Sequence, residues 1–161
     1  MLRSLSLQAV VFFFIFHAIS MLRETSMLSS SNGELPIIHQ LSTLDNKTLS
    51  LQANGQKTIV YFFAPWCQIC HMSIGNLQSL FERKPHIKVI AVALDFVDQN
   101  EVAAFTERHQ LTFPVALGNE AVKQDFQVQG YPSYYVLDEE NTVISRSLGY
   151  SSELGLYLRS F

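Results

Sequence analysis

Apolar residues along this chain follow two periodicities, one typical of buried strands and one typical of amphipathic helices. Residues 58–64 and 86–94 are largely apolar runs rich in β-branched and aromatic residues, which predict strands buried on both faces. Between them, from Cys67 to Arg83, apolar residues recur at every third or fourth position, as in a helix with one buried face. The centre of the chain therefore predicts a strand–helix–strand unit.

The rest of the pattern predicts shorter elements on both sides of this unit. They are strands at 36–44, 48–51, 113–117, 133–137 and 142–148, and helices at 98–109, 120–126 and 152–160. Asp98 and Glu101 have the spacing of a capping box, and either Ser151 or Ser152 caps the last helix. Strands that alternate with helices and end in a hairpin and a helix predict an α/β sandwich with a mixed central sheet.

The N-terminal residues differ from the rest of the chain. Residues 5–22 form an apolar run that follows Arg3 and would span about 27 Å as a helix, close to the thickness of a bilayer core. We interpret residues 1–22 as a signal anchor, that is, a transmembrane segment. The alternative is a cleaved signal peptide, for which Ala18 and Ser20 offer a poor small-residue cleavage site.

Both interpretations place the remainder of the chain outside the cytoplasm. The positive charge before the apolar run keeps the N-terminus inside, so the domain is expected on the periplasmic side, either membrane-anchored or secreted after cleavage. Residues 23–33 are expected to form a flexible linker, and residues 34–161 to form one domain.

Composition excludes some functions. The 161 residues are 48% hydrophobic, enough for a single domain with a real core, and the formal net charge of −3 gives no basic face for nucleic acid. No two of the five histidines are spaced to share a helix face, so a histidine metal site is not expected.

Cys67 and Cys70 are the only cysteines in the chain. A structural zinc site needs about four ligands, and the sequence has no second Cys or His pair with suitable spacing. Two thiols separated by two residues can close a small ring and exchange disulfides with another protein. The pair therefore predicts redox chemistry with no cofactor beyond the Cys67–Cys70 disulfide itself.

The position of the pair at a strand-to-helix junction suggests a role for each sulfur. Unpaired N–H groups and the helix dipole stabilise a thiolate at Cys67, which predicts the nucleophile, while Cys70 lies one turn later and resolves the mixed disulfide. An inert structural disulfide is the alternative. It is disfavoured, because so short a loop constrains the unfolded chain very little.

Two motifs carry a resemblance to a known family. The segment from Ala64 through Trp66 to Cys70, followed far downstream by Gly130-Tyr131-Pro132-Ser133, resembles the thioredoxin superfamily. The N-terminal anchor, the strands before the motif and the extra strand and helix at 86–109 are most similar to the membrane-anchored TlpA/ResA-like reductases. The resemblance implies a thioredoxin-like three-layer α/β sandwich.

The resemblance also implies a substrate-binding surface. The matching proline of the family is cis and faces the dithiol, so Pro132 is expected to be cis, with a trans proline in an ordinary loop as the alternative. The Tyr131 backbone would then pair with an extended substrate chain. Trp66 is expected to cover the dithiol and to contact the substrate, although simple core packing is an open alternative.

The sequence departs from the family at three positions. Ser73 stands where many TlpA/ResA-like members have a glutamate, Tyr61 where thioredoxins have a buried acid, and Gly75 where the helix proline is expected. These departures place a cytochrome-maturation role in doubt but leave disulfide exchange intact.

Two further side chains could assist the chemistry. His71 lies one helix turn after Cys67 and could stabilise its thiolate as an imidazolium, but we favour a solvated surface residue. Asp95 ends the second buried strand at the carboxyl edge of the sheet, where sites form in such folds. Asp95 could act as an acid or base, but a residue in this position more often only makes a turn.

The function predicted from these observations is that of an exported thiol-disulfide oxidoreductase, working as a reductase on protein thiol or disulfide substrates. Its electrons would come from a membrane or periplasmic donor. A disulfide oxidant or isomerase, and a thioredoxin-like binding module without turnover, are the alternatives. A thiol peroxidase is disfavoured because Thr58 and Arg83 are not placed as its threonine and arginine would be.

Overall fold

The computed structural model describes residues 8, 10–15, 18–19, 27 and 39–160. The strands are β1 (Gln40–Thr43), β2 (Thr48–Ser50), β3 (Thr58–Phe63), β4 (Lys88–Ala93), β5 (Val115–Leu117), β6 (Ser133–Leu137) and β7 (Val143–Leu148). The helices are α1 (Gln68–Arg83), α2 (Gln99–Arg108), α3 (Glu120–Asp125) and α4 (Glu153–Arg159). Their order along the chain is the predicted one, although residues 36–38 of the first predicted strand lie outside the described residues.

Much of the predicted membrane anchor, residues 5–22, also lies outside the described residues. Residues 10–15 are helical and exposed. None of the helices in the described part of the chain combines the length and apolar character needed to cross a membrane. Met27, from the predicted linker, is buried among residues of the second core cluster, and its carbonyl accepts a hydrogen bond from Arg146.

The strands form one seven-stranded sheet in the order β2-β1-β5-β4-β3-β6-β7. The three central strands β3, β4 and β5 run parallel to one another. The outer pairs, β1 with β2 and with β5, β6 with β3, and β7 with β6, are antiparallel, so the predicted mixed sheet is confirmed. All six residues of β3 are buried, as its uninterrupted apolar pattern predicted. The central position of β3 places its carboxyl end in the middle of one sheet edge.

Helices cover both faces of the sheet. Alternate residues of β3 point into two core clusters, with Ile59, Tyr61 and Phe63 in the first and Val60 and Phe62 in the second. The first cluster includes residues of α1, α2 and α4, and the second includes Val122 of α3. The architecture is therefore the predicted three-layer sandwich.

Strand direction brings three loops to the same edge of the sheet. Because β3 and β4 are parallel, the loop after Phe63 and the turn at Asp95 leave the sheet side by side. Strand β6 runs antiparallel to β3 with Ser133 opposite Phe62, so the segment just before Ser133 reaches this edge as well. The fold thus gathers the loops that contain Cys67, Asp95 and Tyr131.

The local start signals predicted from the sequence are present. Asp98 caps α2, with its side chain accepting from the N–H groups of Asn100 and Glu101, and Glu101 in turn accepts from Val97 N–H at 3.1 Å. Ser152, rather than Ser151, caps α4 through a hydrogen bond from the Gly155 N–H.

Gly75 is exposed within α1, and a Cβ atom added there would meet nothing within 4 Å. We expect Gly75→Ala to raise the free energy of unfolding by about 0.5–1 kcal/mol, because alanine loses less backbone entropy in a helix. Denaturant unfolding measures this effect. Gly149→Ala is the matched control, since the φ of +93° at Gly149 makes alanine destabilising there; a loss of stability in Gly75→Ala would contradict the prediction.

Candidate functional site at the Cys67–Cys70 disulfide

Cys67 and Cys70 form a disulfide where the loop after β3 enters α1, with their Cα atoms 5.2 Å apart. Cys67 is 7% exposed, whereas Cys70 is completely buried against the first core cluster. A partner molecule approaching from solvent therefore reaches the Cys67 sulfur first.

Cys67 is also the N-cap residue of α1. Its Sγ accepts a hydrogen bond from the Cys70 backbone N–H at 3.1 Å, in the place where a serine or aspartate oxygen caps many other helices. After reduction, the same N–H and the positive end of the helix dipole would stabilise a thiolate on Cys67. This geometry supports the predicted roles of nucleophile and resolving thiol, which stay predictions.

Trp66 lies on the surface beside the disulfide. Its side chain is 61% exposed, and its indole N–H donates to the backbone carbonyl of Asp95 at 2.8 Å. The ring also meets the Tyr131 ring edge-on, with centroids 5.9 Å apart. The alternative of simple core packing for Trp66 is therefore wrong, because the loops at this edge hold the indole outside the core.

The segment before β6 completes this surface. The Tyr131–Pro132 peptide bond is cis, as the resemblance implied. Pro132 is buried and its carbonyl accepts from the Gly149 N–H at 2.8 Å, while the half-buried Tyr131 presents its ring to Trp66. Because the sequence predicts that they contact the substrate, we call Trp66, Tyr131 and Pro132 the docking surface; that role stays a prediction.

Asp95 connects this surface to the far side of the sheet. Its carboxylate accepts from Lys123 Nζ at 2.7 and 2.8 Å and from the Tyr131 hydroxyl at 2.9 Å. Burial acts to raise the pKa of Asp95, but the hydrogen bonds from Lys123 and Tyr131 outweigh it and hold that pKa below its ordinary value. Burial and the neighbouring Asp95 carboxylate raise the pKa of Tyr131, which stays a neutral hydrogen-bond donor.

The expectation that Asp95 makes a turn is correct but incomplete. Its φ of +49° is a turn conformation, yet its side chain forms an ion pair as well. Lys123 was missed by sequence reasoning, since no local pattern relates two residues 28 positions apart on different elements.

Hydroxyl groups occupy the space behind Cys70. The Tyr61 hydroxyl lies 3.4 Å from Ser73 Oγ, and each of these groups donates to the Cys70 carbonyl at 3.5 and 3.4 Å respectively. Two of the three positions at which this sequence departs from the family, Tyr61 and Ser73, therefore touch each other. Burial raises the pKa of Tyr61 well above its ordinary value. It also raises the pKa of Tyr134, whose ring packs against Tyr61, to about 12, so both phenols stay neutral.

The prediction that His71 is a solvated surface residue is wrong. It is half-buried, and both ring nitrogens have partners: Nε2 lies 2.9 Å from the Pro65 carbonyl and Nδ1 lies 2.7 Å from Nε2 of His109. A carbonyl can only accept, so His71 carries its proton on Nε2, and its Nδ1 accepts from His109 when both rings are neutral. His109 is the C-cap residue that follows α2 and lies 38 residues from His71 in the sequence, so no spacing rule could have revealed this contact.

Burial lowers the pKa of His109, and the nearby His71 and Arg108 lower it further. The folded protein therefore binds a proton at this site less readily than the unfolded chain, whose histidine pKa is about 6.5. We expect the free energy of unfolding to fall as the pH is lowered through about 6.5 toward the folded pKa. Denaturant unfolding between pH 8 and pH 5 measures this slope, and His109→Gln should reduce it; an equal slope in both proteins would contradict the prediction.

Comparison with known proteins agrees with the thioredoxin-like class that this fold and site define. The chain belongs to the AhpC/TSA family, whose model matches residues 34–146. The motif-based resemblance to thioredoxin-like oxidoreductases is thereby confirmed at the level of the family.

Three curated relatives have matching segments. The chain is 32% identical over 108 residues to the thioredoxin-like protein YneN of Bacillus subtilis (strain 168), covering 64% of this chain and 63% of that protein. It is 26% identical over 120 residues to sporulation thiol-disulfide oxidoreductase A of the same strain, and the match covers 71% of this chain and 73% of that protein. For the thiol-disulfide oxidoreductase ResA of Oceanobacillus iheyensis, 28% identity extends over 98 residues and half of the relative's length.

Solved structures share the fold. The crystal structure of StoA from Bacillus subtilis superposes with a TM-score of 0.70 at 24% identity, covering 78% of this chain and 98% of that one. The thioredoxin domain of thiol-disulfide oxidoreductase BVU-2223 from Bacteroides vulgatus gives a TM-score of 0.73 at 16% identity, with coverages of 83% and 99%. At these identities the likeness establishes the fold alone.

Proposed function

We propose that this protein exchanges a dithiol for a disulfide with protein substrates through Cys67 and Cys70. The observation that carries the proposal is the asymmetry of the pair: Cys67 caps a helix and touches solvent, while Cys70 is buried behind it. The names of two curated relatives, both thiol-disulfide oxidoreductases, support the same activity.

The reaction needs no group beyond the two cysteines. The Cys67 thiolate attacks one sulfur of a substrate disulfide, forming a mixed disulfide and releasing the other substrate sulfur as a thiolate. Cys70 then loses its proton and attacks Cys67 Sγ, which closes the Cys67–Cys70 disulfide and releases the second substrate thiolate. Two electrons pass from the protein to the substrate, and the solvent supplies a proton to each product thiolate.

The docking surface would hold the substrate during this exchange. Trp66 offers an exposed aromatic face beside Cys67, and the Tyr131–Pro132 segment lies across from it. An extended substrate chain could pair with the backbone at Tyr131, in the manner of strand addition. Apolar contact with Trp66 and backbone pairing are both tolerant of sequence, as expected for an enzyme that accepts several protein substrates.

We propose the reducing direction, with electrons supplied by a membrane or periplasmic electron donor. The resemblance of the sequence to the TlpA/ResA-like reductases supports this choice. The dipeptide Gln68-Ile69 between the cysteines contains neither proline nor histidine and therefore does not indicate the reduction potential. Equilibration of the purified protein with glutathione or dithiothreitol measures the reduction potential. A value near −270 mV, about that of thioredoxin, supports a reductase, and a value near −120 mV, about that of DsbA, overturns it in favour of an oxidant.

We propose further that residues 1–22 anchor the protein in the membrane, that residues 23–33 link the anchor to the domain, and that residues 34–161 face the periplasmic side. The apolar run at 5–22 and the positive charge before it support this arrangement. A fusion reporter placed after Gly33 should be active only outside the cytoplasm, and carbonate washing should leave the protein in the membrane fraction. Release of a soluble protein with a new N-terminus at Met21 would identify a cleaved signal peptide instead.

A further inference from the structure

One residue, Asp95, connects the aromatic side chains of the docking surface. Its backbone carbonyl accepts from the Trp66 indole at 2.8 Å, and its carboxylate accepts from the Tyr131 hydroxyl at 2.9 Å. The same carboxylate is fixed from α3 by Lys123 Nζ, with both oxygens within 2.8 Å. Asp95 therefore joins the loop before Cys67, the loop before Pro132 and helix α3.

We propose that Asp95 is a positioning residue that sets the orientation of Trp66 relative to Tyr131, and thereby determines how tightly a protein substrate binds beside Cys67. This inference rests on the proposed function, because it concerns the same docking surface. Asp95 itself takes no part in the exchange of electrons.

The geometry explains why Asp95 has this influence. Trp66 is 61% exposed, so core packing does little to hold its ring, and its orientation depends on the hydrogen bond to Asp95 and the edge contact with Tyr131. The carboxylate holds the Tyr131 side of that contact, and the carbonyl holds the Trp66 side. Asp95 thus holds both aromatic side chains of the docking surface.

Lys123 keeps Asp95 itself in place. The φ of +49° turns the Asp95 backbone so that its carbonyl and its side chain serve different partners. The Lys123 and Asp95 side chains are 26% and 38% exposed, so water screens the ion pair only in part. An ion pair that is open to solvent to this extent contributes only modestly to stability, which makes a positioning role separable from a stabilising one.

The test compares variants with insulin as disulfide substrate and dithiothreitol as reductant. Asp95→Asn keeps the size of the side chain and tolerates positive φ, but it removes the charge that fixes Lys123 and Tyr131. Tyr131→Phe removes only the hydroxyl donor. We expect each variant to raise KM for insulin about fivefold, with a much smaller change in kcat, as loss of one charge-assisted hydrogen bond allows. Tyr150→Phe, which removes an exposed hydroxyl bonded to Asn76, is the matched control.

Coupling provides a second readout. If both residues act through one contact, the Asp95→Asn and Tyr131→Phe double variant should raise KM about as much as either single change, because the second substitution has no contact left to remove. Multiplied effects in the double variant would overturn the proposal, since they would show independent roles.

The chain contains a single tryptophan, so fluorescence reports on Trp66 alone. We expect lower anisotropy and a shifted emission maximum in Asp95→Asn and in Tyr131→Phe, and neither change in Tyr150→Phe. A merely structural role predicts instead a lower melting temperature with unaltered KM and unaltered Trp66 emission, and that result would overturn the proposal.

The same experiment separates this inference from the proposed function. If the wild-type protein fails to reduce insulin while its disulfide still reacts with dithiothreitol, the proposed function is wrong and this inference falls with it. If the wild-type protein reduces insulin and the Asp95 and Tyr131 variants do so with the wild-type KM, only the positioning role is wrong.

Discussion

Cys70→Ser is expected to trap mixed disulfides between Cys67 and protein substrates. The Cys67 thiolate still attacks the substrate, but the buried resolving thiol is absent, so the intermediate cannot close the Cys67–Cys70 ring. Non-reducing gels of cells that express the variant should therefore show high-mass adducts that disappear on treatment with dithiothreitol. Multiple turnover with insulin should fall to the rate of the uncatalysed reaction.

Cys67→Ser is the matched control for this experiment. It leaves Cys70 as the remaining thiol, and Cys70 is completely buried, so we expect no adducts and no turnover. Adducts formed by Cys67→Ser and missing from Cys70→Ser would reverse the assignment of the two sulfurs. A pKa of the Cys67 thiol measured at or above about 8.5 would remove the helix N-terminus as the cause of its reactivity.

Phe105→Ala is expected to have the largest effect on stability among changes near the site. Phe105 is 2% exposed in the first core cluster. Its ring centroid lies 4.5 Å from that of Phe63 and 4.7 Å from the ring centroids of both His71 and His109. Truncation removes these contacts and leaves a cavity, so we expect a loss of about 3–5 kcal/mol in the free energy of unfolding. Denaturant unfolding measures the loss.

Phe81→Ala provides the comparison. Phe81 is only partly buried and packs edge-on against Phe113, so its truncation should cost clearly less. Because the Phe105 ring also contacts His109, its truncation should alter the titration of His109 as followed by NMR. If both variants lost the same free energy of unfolding, burial of Phe105 would not explain the destabilisation.

The sequence alone determined the order of the elements and the position of the redox pair. Alternation of buried strands and amphipathic helices is a local property, as are caps such as Asp98, so both can be read along the chain. The Cys67–Cys70 spacing at a strand-to-helix junction is local too, and it places one sulfur at the helix N-terminus whatever surrounds it. The family resemblance added the cis bond at Pro132, which the residues alone left open.

Only the tertiary structure decided what surrounds the disulfide. The contact of Trp66 with Tyr131 joins residues on two loops, and the ion pair of Asp95 with Lys123 joins a loop to a helix. His71 was predicted to be a solvated surface residue, yet His109, which follows another helix, lies against its ring. Pattern and spacing describe neighbours within one element, whereas these partners meet because parallel and antiparallel strands end at a common sheet edge and helices pack across one face. Their pairing is set by the global fold, which no short stretch of the sequence encodes.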